Sequence, residues 1–137
     1  MRVLIVDDSA QIRLVIQRYI STLNSMSFDF FHAENGNKAK QVLQENELFS
    51  KPIDLIFLDW HMPEMNGLSF LSDIRSVDKF KTYPPIIMLS AETYPQQIEA
   101  CLKYGVSSYL TKPFTEEQIH EALKKVIHQL NGVGHAI

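Results

Sequence analysis

Short strand-like runs alternate along the chain with segments that have helical periodicity. The strand-like runs are Val3 to Val6, Phe28 to Ala33, Ile53 to Leu58, Ile86 to Leu89 and Val106 to Leu110. The third run is apolar apart from Asp54, as expected for a central strand covered on both faces. Alternation of this kind is typical of a parallel sheet built from right-handed βαβ units. The pattern therefore predicts an α/β domain.

The segments between these runs predict five helices. Apolar residues recur at the spacing of one helix face from Ile12 to Leu23, and again from Ile119 to Leu130. Three further helices are expected: one that begins near Asn37, one around Leu68 to Ile74, and one between Pro95 and Gly105. Two pairs have capping-box spacing, Thr93 with Gln96 and Thr115 with Gln118.

The size of the chain bounds its organisation. A chain of 137 residues fits one domain, and we expect this domain to span residues 1–130, followed by a flexible glycine-containing tail at 131–137. No apolar run approaches the roughly 18 residues that suggest a membrane span, so no membrane insertion is expected. The chain enters a strand directly after Arg2 with no signal-peptide pattern, which predicts a cytoplasmic protein.

Charge and cysteine content narrow the function. A net charge of -3 and a pI near 5.9 give no basic footprint for phosphate backbones, which argues against direct nucleic-acid binding. The single Cys101 cannot form an internal disulfide. It lies among apolar residues of a predicted helix, so we interpret it as a small core residue in a reducing compartment.

Reactive side chains stand where four of the predicted strands end. These residues are Asp7 and Asp8, Asp59, Ser90, and Thr111 with Lys112. In an open parallel sheet, ligands bind in the crevice beyond the carboxyl ends of the strands. We therefore expect three carboxylates, one hydroxyl and one ammonium group to share a single pocket.

The residue types in this pocket suggest phosphoryl transfer. Clustered carboxylates repel one another unless a cation neutralises them, and Mg²⁺ favours one or two carboxylates together with waters and a substrate phosphate. Lys112 and Ser90 are groups that stabilise a transferring phosphoryl group, and Asp59 is our candidate nucleophile. The chain lacks a glycine-rich nucleotide loop, so the phosphoryl group would come from another molecule.

Separated motifs occur in a fixed order along the chain: Asp7-Asp8, Asp59 followed by Met62-Pro63-x-Met65-x-Gly67, Ser90-Ala91, and Lys112-Pro113-Phe114. In this order they resemble the receiver domain of two-component response regulators, over essentially the whole chain. The resemblance implies a flavodoxin-like, doubly wound sheet of five parallel strands in the order 2-1-3-4-5, with five helices in three α/β/α layers.

The same resemblance implies a role for each matching residue in the chemistry. Asp59 would be the phosphoacceptor and would act together with Lys112 and Ser90. Mg²⁺ would bind to the carboxylates of Asp7, Asp8 and Asp59 and to the backbone carbonyl of His61. The chain would catalyse only its own Mg²⁺-dependent phosphorylation and dephosphorylation, and would not be an enzyme that turns over substrates.

The resemblance also implies a switch and partners. Ser90 and Tyr109 would be the switch residues, with Tyr109 turning from an exposed to a buried position, and the peptide before Pro113 would be cis. A sensor histidine kinase or a histidine phosphotransfer protein would donate the phosphoryl group. A downstream protein would bind the surface of the fourth helix, fifth strand and fifth helix, where the following residues would lie: Tyr94, Gln97, Lys103, Tyr109 and Lys112. Phosphorylation-dependent dimerisation stays open.

Other interpretations stay open. A Mg²⁺-dependent phosphatase with an aspartate nucleophile would share the metal and the acyl phosphate, but Asp8 is followed by Ser9 without a second carboxylate two residues on. A flavodoxin-like cofactor binder would need a hydroxyl- and glycine-rich phosphate loop that the first strand does not lead into. His61 is either a solvated side chain or a group that orients or hinders the attacking water. The chain is either a stand-alone receiver or part of a longer regulator.

Overall fold

One parallel sheet of five strands forms the centre of the protein. The computed structural model describes residues 1–132. Its strands are β1 (Arg2–Val6), β2 (Asp29–Ala33), β3 (Leu55–Asp59), β4 (Ile86–Ser90) and β5 (Ser108–Thr111). Their order in the sheet is β2-β1-β3-β4-β5, and every pairing is parallel. The predicted fold class and strand order are therefore confirmed.

Five helices connect and flank the strands, as predicted. They are α1 (Ala10–Ser21), α2 (Gly36–Leu48), α3 (Gly67–Arg75), α4 (Pro95–Lys103) and α5 (Glu116–Gly132), with a short 3₁₀ turn at Asp78–Phe80. Helix α5 continues two residues beyond the domain boundary predicted at residue 130. The rest of the predicted tail, residues 133–137, lies outside the described residues.

The sheet separates two hydrophobic cores and gives the three predicted layers. Alternate residues of β1 point to opposite faces, so that Leu4 and Val6 join one core while Val3 and Ile5 join the other. Helices α2, α3 and α4 cover the first face, and α1 and α5 cover the second. The central strands are buried along their whole length, which explains their nearly continuous apolar sequence.

Cys101 of α4 lies in the first of these cores. The residue is fully buried and forms no disulfide. Burial raises the pKa of its thiol to about 11, so the side chain stays protonated and behaves as an apolar group. The interpretation of Cys101 as a core residue is confirmed.

One of the two predicted capping boxes is present in the structure. At α5, the Thr115 amide donates to Gln118 Oε1 at 2.9 Å, and the Gln118 amide donates to Thr115 Oγ1 at 3.1 Å. At α4, the box predicted from Thr93 and Gln96 is wrong, because Tyr94 occupies the cap position without a side-chain hydrogen bond. Pro95 there supplies a preset φ at the first helical position.

Connections at the strand ends differ from the sequence pattern in small ways. The strand predicted from Val106 begins only at Ser108, because the chain first turns through Gly105, which has a φ of +73°. The Lys112–Pro113 peptide is cis, as the resemblance implies, and the Tyr83–Pro84 peptide is also cis. Within residues 1–132, no helix combines the length and apolar character needed to cross a membrane.

The loop after β3 packs back against the end of that strand. The Gly67 amide donates to the Trp60 carbonyl at 2.7 Å. A Cβ atom on Gly67 would lie 2.6 Å from the Asp59 carbonyl oxygen and 3.0 Å from the Trp60 Cα. Since both neighbours are backbone atoms, only glycine permits this close approach, which fixes where the Asp59 side chain leaves the sheet.

We expect Gly67→Ala to lower the free energy of unfolding by about 1–3 kcal/mol, because the new methyl group displaces the backbone of Asp59 and Trp60. Urea unfolding at equilibrium measures the change. The matched control is Gly132→Ala at the end of α5, where an added Cβ meets nothing within 4 Å. Equal stabilities for the Gly67 variant and the unsubstituted protein would contradict this interpretation of the loop.

Candidate functional site

Three carboxylates meet beyond the carboxyl ends of β1 and β3. One oxygen from each of Asp7, Asp8 and Asp59 lies within 4.8 Å of the others. Asp7 and Asp59 are buried, with 1% and 3% of their surfaces exposed, whereas Asp8 is exposed. Consecutive residues of an extended strand point to opposite faces. Here β1 ends at Val6, so both following carboxylates can face the same crevice.

A lysine bridges two of these carboxylates from the far side of the pocket. Lys112 Nζ lies 2.9 Å from Asp7 Oδ2 and 3.1 Å from Asp59 Oδ1. The Lys112 amide donates to the Ser90 carbonyl at 2.8 Å, which continues the β4–β5 pairing by one residue and aims the side chain across the sheet edge. Burial alone would lower the pKa of the ammonium group, but the Asp7 hydrogen bond and the charges of Asp59 and Asp7 raise it.

The environment of Asp59 disfavours its charged form. Burial is the largest effect and raises the pKa of its carboxyl group, and the nearby negative charge of Asp7 raises it further. Lys112 and the backbone amide of His61 act in the opposite direction without cancelling this rise. The pocket therefore carries more negative charge than the lysine neutralises.

The cluster can hold a metal ion. Three ionised carboxylates and one ammonium group leave two negative charges, which a divalent cation would balance. All the donors are oxygens, the ligand type of hard cations such as Mg²⁺, and the exposure of Asp8 opens the cluster to solvent. The backbone amide of His61 is the part of that residue that contacts the Asp59 carboxylate. The predicted role of the His61 carbonyl as a metal ligand stays a prediction.

The two predicted switch residues contact one short segment after β4. Ser90 is fully buried, and its Oγ accepts a hydrogen bond from the Glu92 amide at 3.1 Å. The hydroxyl group of Tyr109 donates to the Glu92 carbonyl at 2.8 Å. The Tyr109 ring is half-buried against the first core, whereas the predicted switch starts from an exposed ring. Glu92, which the sequence did not single out, therefore connects the two side chains.

The other residues predicted on the partner surface lie on or beside α4. Tyr94 is 59% exposed at the start of the helix, Lys103 is exposed in its last turn, and Gln97 is half-buried. At the mouth of the acidic pocket, His61 Nε2 lies 3.8 Å from Glu92 Oε2. His61 is thus an exposed side chain between the phosphoacceptor candidate and the segment that follows β4.

An arginine on α1 belongs to the same site although nothing in its sequence context indicated it. Arg13 donates through one terminal nitrogen to the Asp7 carbonyl at 2.5 Å, and through Nε to His32 Nδ1 at 3.2 Å. His32 lies on β2. This contact depends on how α1 lies against β2, so it has no signature in the order of residues.

Comparison with known proteins agrees with this geometry. The family model described as the response regulator receiver domain matches residues 3–124. A chemotaxis protein CheY homolog from Campylobacter jejuni is 35% identical over 136 residues, which is 99% of each chain. The chain belongs to the response regulator receiver domain family. The chemotaxis protein CheY1 of Helicobacter pylori is 37% identical to this receiver over 127 residues, covering 93% of this chain and 97% of CheY1.

Solved structures of receivers share the fold. Chemotaxis protein CheY4 of Vibrio cholerae superposes with a TM-score of 0.78 at 30% identity, covering 91% of this chain and 97% of that one. A receiver domain from Clostridium thermocellum gives a TM-score of 0.80 at 20% identity, covering 96% and 98%. This protein is thus a CheY-like receiver domain of two-component signalling, and no comparison supports the phosphatase alternative.

Asp59→Asn should stabilise the metal-free receiver at pH 7. Because the folded-state pKa of Asp59 is raised, the folded protein binds more protons than the unfolded chain between the ordinary and the raised value. The free energy of unfolding therefore falls as pH rises through that window. The asparagine side chain does not ionise, so the variant does not lose this stability. We expect a higher free energy of unfolding for Asp59→Asn, measured by urea unfolding in EDTA.

The control for this measurement is Asp8→Asn, which removes a charge from the same cluster at an exposed position. Its gain should be smaller than that of Asp59→Asn. A metal-free Asp59→Asn protein that is no more stable at pH 7 than the unsubstituted receiver would show that the buried charge is not costly.

Proposed function

We propose that Asp59 accepts a phosphoryl group from a sensor histidine kinase or a histidine phosphotransfer protein, and that phosphorylation changes a protein-binding surface. The observation that carries this proposal is the position of Lys112 Nζ, within 3.1 Å of a buried Asp59 oxygen and 2.9 Å of a second carboxylate. An ammonium group held there offers charge to a phosphoryl group as it arrives on Asp59.

In the transfer step, one carboxylate oxygen of Asp59 attacks the phosphorus, a new O–P bond forms, and the P–N bond to the donor histidine breaks. The electron pair of that bond stays on the imidazole nitrogen. In this proposal the Lys112 ammonium group and the Ser90 hydroxyl group interact with the phosphoryl oxygens. Mg²⁺, held by Asp7, Asp8 and Asp59 with the His61 carbonyl, would supply charge neutralisation when bound.

The change in charge then reaches the partner surface through the segment from Ser90 to Glu92. A phosphoryl group adds a charge of about -1.5 to -2 and three acceptor oxygens beside Ser90. A Ser90 hydroxyl drawn to those oxygens gives up the hydrogen bond from the Glu92 amide. Tyr109 is bonded to the carbonyl of the same residue, so the segment, the ring and the start of α4 would shift together.

The reaction we propose is a single event on the protein itself rather than turnover of substrates. The partners are thus a phosphodonor protein and a downstream protein that binds the surface of α4, β5 and α5. Both partners and the receiver would meet in the cytoplasm.

Incubation with acetyl phosphate and Mg²⁺ should add one phosphoryl group per chain, because the proposal assigns the role of nucleophile to Asp59 alone. Intact-mass spectrometry measures the addition. Asp59→Asn should remove it, and so should EDTA. Lys112→Met, which keeps the length of the side chain without its charge, should slow the addition by at least about tenfold.

Asp73→Asn is the matched control, since this exposed aspartate on α3 pairs with Lys40 at 2.7 Å and not with the pocket. It should be phosphorylated like the unsubstituted protein. Continuous hydrolysis of p-nitrophenyl phosphate by the unsubstituted protein, or a phosphoryl group that persists in Asp59→Asn, would contradict the proposal.

Tyr109→Phe should uncouple the surface from the phosphorylation site. The substitution removes the hydroxyl group that donates to the Glu92 carbonyl and leaves the acidic pocket intact. We expect an unchanged extent of phosphorylation, but smaller phosphorylation-induced amide shifts in NMR spectra over residues 91–97. Tyr94→Phe, at an exposed tyrosine, is the control and should keep the full shifts. Equal shifts in all three proteins would rule out the Tyr109 contact as part of the switch.

A further inference from the structure

Asp8 is the least constrained of the three clustered carboxylates. Within residues 1–132 its side chain makes no hydrogen bond or ion pair, and it is exposed. Asp7 and Asp59, in contrast, are buried and held by Lys112. The Asp8 carboxylate nevertheless lies within 4.8 Å of the other two. Its position is therefore set by the backbone that carries it, at the peptide between Asp7 and Asp8.

That backbone is held from both sides. The Asp7 amide donates to the Ala33 carbonyl at 3.1 Å, which continues the pairing of β1 with β2. The Asp7 carbonyl, which belongs to the peptide that leads into Asp8, accepts a hydrogen bond from Arg13 at 2.5 Å. Arg13 is thus the side chain that fixes the orientation of this peptide plane and, through it, the direction in which Asp8 leaves the chain.

Arg13 is itself held by a histidine in a defined protonation state. His32 Nδ1 lies 3.2 Å from Arg13 Nε, which can only donate, so Nδ1 must accept. His32 Nε2 then carries the ring proton and donates to Gln17 Oε1 at 2.5 Å. Burial and the charge of Arg13 lower the pKa of His32, which favours this neutral form. The series Gln17, His32, Arg13 and the Asp7 carbonyl is continuous.

We propose that Arg13, anchored by His32, is a positioning residue for the metal site and orients Asp8 toward the ion. This inference rests on the proposed role of the carboxylate cluster as a Mg²⁺ site. Groups that orient metal ligands typically change metal affinity by about 10- to 100-fold when they are removed. The assignment concerns an arginine and a histidine that never touch the ion.

Removal of the Arg13 side chain would change the Mg²⁺ affinity in opposite directions through its charge and through its positioning role. A cation beside a cation-binding site weakens binding by Coulomb repulsion, so loss of the guanidinium group would strengthen Mg²⁺ binding if charge were its only influence. Loss of positioning weakens binding instead. The sign of the change in the Mg²⁺ dissociation constant therefore separates the two roles.

The experiment titrates Mg²⁺ into the unphosphorylated receiver and follows the fluorescence of Trp60, the single tryptophan, which adjoins Asp59. Isothermal calorimetry provides a second measure of the same constant. We expect Arg13→Gln to raise the dissociation constant about tenfold. Arg18→Gln, an equal change in charge at an exposed position of α1, should leave it unchanged. An unchanged or lower constant for Arg13→Gln would overturn the proposal.

Variants of His32 test positioning without any change in the charge of Arg13. His32→Leu removes the acceptor for Arg13 and should weaken Mg²⁺ binding by several-fold. His32→Gln keeps an acceptor oxygen and a donor nitrogen and should restore most of the affinity. Equal losses in the leucine and glutamine variants would show a packing effect and overturn the proposal. Circular dichroism and urea unfolding establish that each variant is folded at the temperature of the titration.

Failure of the proposed function would give a different result from failure of this inference. If the cluster were not a Mg²⁺ site, the unsubstituted receiver would show neither a saturable fluorescence change nor heat on Mg²⁺ addition. If only the positioning role were wrong, the unsubstituted protein would bind Mg²⁺, and either Arg13→Gln would bind it equally well or more tightly, or His32→Leu and His32→Gln would lose affinity equally.

Discussion

The ammonium group of Lys112 stabilises a pocket whose carboxylates would otherwise repel one another. Two buried carboxylates, Asp7 and Asp59, lie within hydrogen-bond distance of the same nitrogen. Each would be costly to bury as an unpaired charge. With the exposed Asp8 nearby, the lysine balances only part of the charge, and the remainder attracts a divalent cation. Burial, and after it the negative charge of Asp7, raises the pKa of the Asp59 carboxyl group.

The parallel sheet makes this arrangement possible. All five strands point their carboxyl ends to one edge, so residues from β1, β3, β4 and β5 converge although they are far apart in the chain. Two hydrophobic cores hold the central strands rigidly. The segment after β4 is held at Glu92 by three hydrogen bonds: from Tyr109 to its carbonyl, from its amide to Ser90, and from Gln97 to its carboxylate at 3.4 Å. A rigid sheet edge beside a segment held by a few hydrogen bonds is the combination that a switch requires.

The sequence predicted the elements and the site residues because both depend on local pattern. Short apolar runs located the strands, periodicity and the Pro and Gly signals at helix ends located the helices, and polar residues at the strand ends marked Asp59, Ser90 and Lys112. The capping box at Thr93 was wrong because spacing alone does not show which residue caps, and Pro95 already starts that helix. Arg13 and Glu92 were missed because their contacts cross between elements, from α1 to the residue that follows β1 and from β5 to the segment after β4. Such contacts depend on the angles at which the elements pack, so no spacing of residues in the sequence marks them.

The most direct test of cation binding by the carboxylate cluster is a crystal structure of the receiver soaked in Mn²⁺, which replaces Mg²⁺ at oxygen sites and gives an anomalous signal. We predict one anomalous peak between the carboxylates of Asp8 and Asp59, with Lys112 Nζ still in contact with Asp59. A peak away from these carboxylates, or a Lys112 side chain turned out to solvent, would contradict it.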